Sequence, residues 1–271
     1  MLSPILVGAV IYDPKVALIW DIIKDFFEQQ GCPMDCVFYT NYELQVEALL
    51  AGHIHIAWNS PLAWVEAQRH TGGTCRALAM RDTDCDRVSH IIVRNDSGFR
   101  SLGDLRGKTL ATGAKDSPQA TLLPLHLMQQ HGLIAGKDFT VRRFDVLVGK
   151  HGDHVGGEME ALRNLQKGES DACVALDLNW ERWQADGTAD PNQLTVLATT
   201  KPFDHCNFTV VSDFPREDEE RWKRVLFMMS YDNPAHREMM DMEGLKAWLP
   251  GRTTGYANLT EAVQQQNFFE K

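Results

Sequence analysis

Ala51-Gly52-His53-Ile54-His55-Ile56-Ala57-Trp58-Asn59-Ser60-Pro61 joins the end of one helix, a buried strand and the start of the next helix. Gly52 is a natural stop for a helix that Asn41 can cap, with Leu44, Ala48 and Leu49 spaced to point inwards. His55–Trp58 reads as a short buried strand, and Pro61 opens a helix through Arg69. Upstream, Leu6–Tyr12 and Asp35–Tyr39 read as strands around a helix from Val16 to Gln30. Val16, Ile19, Trp20, Ile23 and Phe27 share that helix's inner face, and Gly31 ends it. Downstream, strands are predicted at Cys75–Met80, Ser89–Val93, Thr109–Thr112, Phe139–Phe144, Ala172–Ala175, Leu194–Thr199 and Phe208–Val211. Ser117 and Pro118 form a cap and first-turn pair for a helix to His131. A further helix spans Gly157–Lys167, and the last sixty residues are mostly helical. Strands that alternate with helices imply an α/β fold with mostly parallel sheets flanked by helices. In such sheets ligands sit beyond the carboxyl ends of the strands, near helix N-termini.

The 271 residues exceed the size at which a single core usually stops growing, so two lobes are expected. The 27 basic and 37 acidic residues give a net charge of −10 without a run of lysine or arginine, which argues against nucleic acid as a partner. An acidic total still permits an anionic ligand, because one pocket can be locally positive. No apolar stretch approaches the roughly 18–20 residues that span a bilayer. Met1-Leu2-Ser3-Pro4-Ile5-Leu6-Val7-Gly8 lacks a basic start and a long apolar run, and so reads as a first strand rather than a leader. The expected location is therefore cytoplasmic as the sequence stands, or periplasmic or lipid-anchored where a leader has been removed. Six cysteines in a chain of this size suggest mostly free thiols, with Cys173 in a core strand. Trp180 and Trp183, three residues apart, read as packing on a helix.

Several junctions carry a shared pattern: Tyr39-Thr40-Asn41-Tyr42-Glu43-Leu44, then Trp58-Asn59-Ser60-Pro61, then Ser89-His90-Ile91-Ile92-Val93 and Ser101-Leu102-Gly103-Asp104-Leu105. Asp116-Ser117-Pro118-Gln119-Ala120-Thr121 and His151-Gly152-Asp153-His154 complete it. In order and spacing the set resembles the phosphate/phosphonate-binding proteins of ABC transporters, a type 2 periplasmic-binding-protein family, over roughly residues 4–215. The resemblance implies a two-lobed fold with a ligand cleft between lobes and binding by hinge closure. The lobes are then 1–88 with 205–271, and 89–204. It implies an anion site at Ser117, Gln119, Ala120 and Thr121, where a helix start offers N–H donors and a positive dipole end. It places Tyr42, Trp58 and Asn59 along the cleft and a family histidine at His151 or His154. Asn207 falls where family members place a carboxylate near the ligand amine. The family's hydroxyl run becomes Ser117-Pro118-Gln119 here, which loses a hydroxyl and an N–H. Arg87 stands where a second cleft tyrosine is usual. A cation gained and a carboxylate lost suggest a ligand more acidic than an aminophosphonate. Tyr12, at a strand end, is a further lining candidate.

His151, His154 and Glu158, with His205 further on, are residue types that hold a transition metal when gathered on one side of a loop. The preferred reading is a polar cleft loop that hydrogen-bonds a ligand and needs no cofactor, and a plain surface loop is the third. A cysteine beside a histidine, as in His205-Cys206, suits an activated thiolate or a metal pair. Adjacent strand residues point to opposite faces, so the packing reading is preferred for them. Two functions remain open. One is a solute-binding protein for a phosphonate, phosphate or similar oxyanion, partnered by a transporter permease. The other is a cytoplasmic enzyme on the same fold, metal-dependent through the histidines; the binding reading is the preferred one.

Overall fold

A computed structural model describes residues 3–153 and 155–270. The chain divides into two compact units, residues 1–85 with 204–256, and residues 86–203 with 257–271. The first begins with β1 (Ile5–Val10), α1 (Lys15–Gln29), β2 (Met34–Tyr39), α2 (Tyr42–Leu50), β3 (Ile56–Asn59), α3 (Pro61–His70), β4 (Arg76–Ala77) and β5 (Ala79–Arg81). The second contains β6 (Ser89–Arg94), β7 (Thr109–Thr112), α4 (Leu123–Gln130), β8 (Thr140–Arg143), α5 (Gly156–Gln166), β9 (Ala172–Leu176), α6 (Asp177–Ala185) and β10 (Leu194–Thr199). The chain returns to the first unit for β11 (Asn207–Val210), α7 (Arg216–Leu226), α8 (Pro234–Glu243) and β12 (Trp248–Pro250), and ends in the second with α9 (Ala257–Gln265).

Each unit holds a five-stranded sheet, in the order β2-β1-β3-β11-β4 and β10-β6-β9-β7-β8. Strands joined by a helix run parallel: β1 with β2 and β3, and β7 with β8 and β9. Strands that begin or end a passage between units run antiparallel: β11 to β3 and β4, and β6 to β9 and β10. A βαβ crossover enforces the parallel sense, and a strand that enters after a longer excursion escapes that constraint.

The alternation of side chains sorts the cores. In β9, Ala172 and Val174 face one layer with Met128 and Leu133, while Cys173 and Ala175 face the other with Ala161, Leu162, Leu165, Trp180 and Trp183. The core of the first unit is aromatic. Phe208 lies 4.7 Å from Trp222, 4.5 Å from Trp58 and 5.5 Å from Trp248 by ring centroid. All six cysteines are free.

Three expectations change. Asn41 does cap α2, its side chain accepting from Leu44 N–H at 2.9 Å, but Leu44 itself is 46% exposed. The buried face of α2 is Tyr42, Gln45, Val46, Ala48 and Leu49 instead. The predicted helix from Ser117 to His131 is broken into a wide turn, Pro118–Leu122, followed by α4. Pro124 has no N–H to give to the Ala120 carbonyl, and that carbonyl accepts from Gly113 N–H at 3.2 Å instead. The tail, expected with the first lobe, belongs to the second unit. Gln266 Nε2 donates to the Leu122 carbonyl at 2.8 Å, and His126 Nδ1 bonds Gln265 Oε1. Periodicity gave α9 an apolar face, but not the surface that the face meets.

Candidate functional site

The strand ends of the second unit converge on the turn after β7. Ser117 caps this turn by accepting from Ala120 N–H at 3.1 Å, and Thr121 Oγ1 donates to the Gly113 carbonyl at 3.2 Å. Ser117, Pro118, Gln119, Ala120 and Thr121 are all buried. Pro118 lacks an N–H, and the Thr121 and Leu122 amides donate to the Ser117 carbonyl. The helix start therefore presents fewer amides than the resemblance implies. The other polar groups at this turn are the buried Ser117 hydroxyl and Gln119 amide.

A loop after β8 lies directly on this turn. Lys115 N–H donates to Asp145 Oδ1 at 2.7 Å, Gly149 N–H to Asp116 Oδ2 at 2.5 Å, and Gln119 Nε2 to the Gly152 carbonyl at 2.9 Å. Gly152 has a φ of +83°, and a Cβ there would stand 2.2 Å from Ser117 Oγ. Only glycine permits so close an approach with that backbone. His151 is buried, with a ring nitrogen within 4.8 Å of an Asp116 carboxylate oxygen. His154 lies outside the described residues.

Glu158 sits in the first turn of α5. Gly157 lets that turn press on the strand end, since a Cβ on it would stand 3.2 Å from Gly113 Cα. Glu158 Oε2 accepts from Leu176 N–H at 2.8 Å and from Asn179 Nδ2 at 3.0 Å. Oε1 is buried and has no hydrogen-bond partner. With Gly113, Ser117, Ala120 and Gly152, Glu158 lines a narrow recess. Burial pushes its pKa up to about 7, against the pull of the Asn179, Leu176 and Gln119 contacts. The fold thus prefers the protonated carboxyl. That contribution to stability is fully present below the ordinary pKa of 4.5 and is lost as pH rises through about 7. The shift corresponds to about 3 kcal/mol, so Glu158→Gln is expected to flatten a fall in melting temperature between pH 5 and pH 8. Equal slopes for the two proteins would refute the buried acid. Sequence reasoning found Glu158 only as a metal-ligand candidate. The glycine pair before it was the available signal that this helix start is pressed into the interior.

Arg87, expected to bring a cation to the cleft, has its Nη1 3.5 Å from Asp177 Oδ2. Asp177 follows β9 directly, and it offsets part of the charge attributed to Arg87.

In the first unit, β3 sends its side chains to opposite faces. Trp58, expected to line the ligand site, instead packs in the aromatic core beneath the Arg81 guanidinium, 5.3 Å from the ring centroid. Asn59 faces α2, where Gln45 Nε2 donates to its Oδ1 at 2.8 Å and to the Trp58 carbonyl at 2.9 Å. Asn59 Nδ2 and Gln45 Oε1 remain buried without partners. Tyr42 is buried at the start of α2, and Tyr12 is partly exposed beyond β1. Asn207, expected near the ligand, is satisfied internally. Its Nδ2 donates to the Tyr256 hydroxyl at 2.9 Å and its Oδ1 accepts from Thr209 at 2.7 Å.

His205 and Cys206 do meet, contrary to the strand argument. His205 Nδ1 lies 3.0 Å from Cys206 Sγ and 3.6 Å from Asp84 Oδ1. Both residues precede β11, so strand alternation does not govern them. Asp84, His205 and Cys206 form a metal-compatible triple, but Arg81 already holds both Asp84 oxygens, at 2.8 and 2.7 Å. The other expected metal residues are not part of this triple. His151 and Glu158 lie in the second unit, and Glu158 commits one oxygen to Leu176 and Asn179.

Residues 13–256 match the family described as ABC transporter, phosphonate, periplasmic substrate-binding protein. A probable ABC transporter phosphite-binding protein of Prochlorococcus marinus is 19% identical over 90% of this chain and 82% of its own. The solved structure of that organism's protein with methylphosphonate superposes with a TM-score of 0.71 at 18% identity, covering 97% of this chain and 98% of that one. A Xanthomonas citri protein solved with ATP gives a TM-score of 0.76 at 17% identity over the whole of both chains. These likenesses establish the two-lobed binding-protein fold.

Proposed function

The chain belongs to the family of periplasmic phosphonate substrate-binding proteins of ABC transporters, and on that premise we propose that it captures a small phosphorus oxyanion at the Ser117–Thr121 turn. The observation that carries this reading is the recess in the second unit. It brings the Ser117 hydroxyl, the Gln119 amide and the backbone of Gly152 together at a strand end. Hydroxyls and amides of this kind bind anions without adding net charge. A bound anion replaces the Gly152 carbonyl as the acceptor for Gln119 Nε2. Ser117 and Gln119 act through their side chains here, while the Ala120 amide and the Thr121 hydroxyl hold the turn in shape through Ser117 Oγ and the Gly113 carbonyl.

Membership of this family supports a periplasmic or lipid-anchored working location, rather than the cytoplasmic one expected, and a transporter permease as the partner. Among the described residues, no helix is long and apolar enough to cross a membrane.

A thermal-shift panel tests the reading with phosphite, methylphosphonate, phosphate and sulfate. Ligand at about 100 times Kd adds about 2.7 kcal/mol to stability, which is readily detected. A shift with phosphorus anions, reduced in Ser117→Ala, is expected. A flat response across the panel would contradict it.

A further inference from the structure

The wide turn that carries Ser117 and Gln119 is held from behind by the last helix. In an α-helical register the Leu122 N–H would donate to the Pro118 carbonyl. It reaches the Ser117 carbonyl instead, at 3.0 Å, and the Leu123 N–H takes Pro118. Such π-type turns are rare and cluster at functional sites. Two supports come from the strand end. The Gly113 N–H donates to the Ala120 carbonyl, and the Thr121 hydroxyl donates to the Gly113 carbonyl.

The third support comes from α9. Leu259, Ala262, Val263 and Gln266 fall at helical spacing on one face of this helix and the residue after it. The first three are buried. Gln266 Nε2, at the end of the stripe, donates to the Leu122 carbonyl at 2.8 Å. Beside it, Gln265 Oε1 meets Nδ1 of the buried His126 on α4. Gln130 Nε2, which can only donate, lies 2.9 Å from His126 Nε2. Nε2 therefore accepts, and Nδ1 carries the hydrogen that Gln265 takes. The tail thus grips both the end of the turn and the start of α4. None of these bonds involves a group assigned to the anion.

We propose that Gln266 is a positioning residue for anion capture: its donation to the Leu122 carbonyl holds the 118–122 turn in the wide register that presents the Ser117 hydroxyl and the Gln119 amide together. The inference rests on the oxyanion-binding reading above. Relaxation to the α register changes the rotation between residues 117 and 119, so the two groups no longer converge on one ligand. Without Gln266 the competent turn is populated for only a fraction of the time, and the apparent Kd rises by the inverse of that fraction. The coupling is reciprocal, so an anion on the turn also tightens the seat of Gln266.

Calorimetric titration of methylphosphonate and phosphite into the wild-type protein and Gln266→Met, with amide hydrogen exchange on the same samples, tests this. Methionine keeps the length of the side chain and removes the donor. The variant is expected to bind both anions about 5-fold more weakly, the worth of about one neutral hydrogen bond. The factor is the same for both, because a lost population taxes every ligand alike. The Leu122 and Leu123 amides are expected to exchange faster by a similar factor. In the wild type alone, saturating methylphosphonate is expected to slow exchange of the Gln266 amide, which donates to the Ala262 carbonyl away from the anion. That readout requires no variant to fold. A variant that melts lower with an unchanged Kd, or a wild type whose Gln266 exchange ignores the ligand, would overturn this inference while leaving anion capture intact. No binding of either anion by the wild type would overturn the oxyanion reading and this inference with it.

Discussion

Trp222→Ala is expected to destabilise the first unit by about 3–5 kcal/mol, the range for removing a large buried aromatic residue. Trp222 is fully buried on α7. Its ring lies 5.4 Å from Phe27 of α1 and 4.7 Å from Phe208 of β11. It therefore ties two helices to the returning strand, and its loss leaves a cavity that three rigid elements cannot close. Calorimetric unfolding is expected to show a transition lowered by roughly 10 °C or more. Trp222→Phe keeps an aromatic ring in the cluster and is expected to lose less. A loss under about 1 kcal/mol for the alanine variant would mean that these rings do not form the core.

Arg81→Ala is expected to cost about 3–5 kcal/mol for a different reason, since it strips a buried carboxylate of its partner. Asp84 is 1% exposed and receives Arg81 Nε and Nη2. Arg81 Nη1 also donates to Glu243 Oε1 at 3.0 Å and to the Glu243 carbonyl at 2.9 Å, which ties α8 to β5. The double variant Arg81→Ala/Asp84→Ala is expected to recover part of the loss, because it removes the stranded charge as well. Chemical denaturation of the single and double variants measures this. A double variant that loses the sum of both single losses would show the two residues to be independent.

The strands were readable because a buried parallel strand is a short apolar run closed by glycine, proline or a cap. The stretch from Ala51 to Pro61 displays all of these, and the structure puts α2, β3 and α3 there. What stayed hidden depends on residues distant in sequence. Trp58 and Asn59 are neighbours at a strand end, yet one joins the aromatic core and the other α2. Periodicity separates their faces without saying which face meets the ligand. His205 and Cys206 were judged by strand rules two residues before the strand begins. Pro124 was visible as a proline inside a predicted helix, but its effect needed the Gly113 amide to be known as the replacement donor. Of the proposed anion site, Ser117 and Pro118 were legible as a cap and first-turn pair, and Gln119, Ala120 and Thr121 followed from the family resemblance. Glu158 acquires its character only because Leu176, Asn179 and Gln119, on three other segments, surround it.

Native mass spectrometry of the folded chain with methylphosphonate in excess tests the central claim most directly. One methylphosphonate held per chain, and lost in Gly152→Ala, whose Cβ would collide with Ser117 Oγ, is the predicted result. A folded chain that retains no phosphorus oxyanion at any concentration would contradict the account.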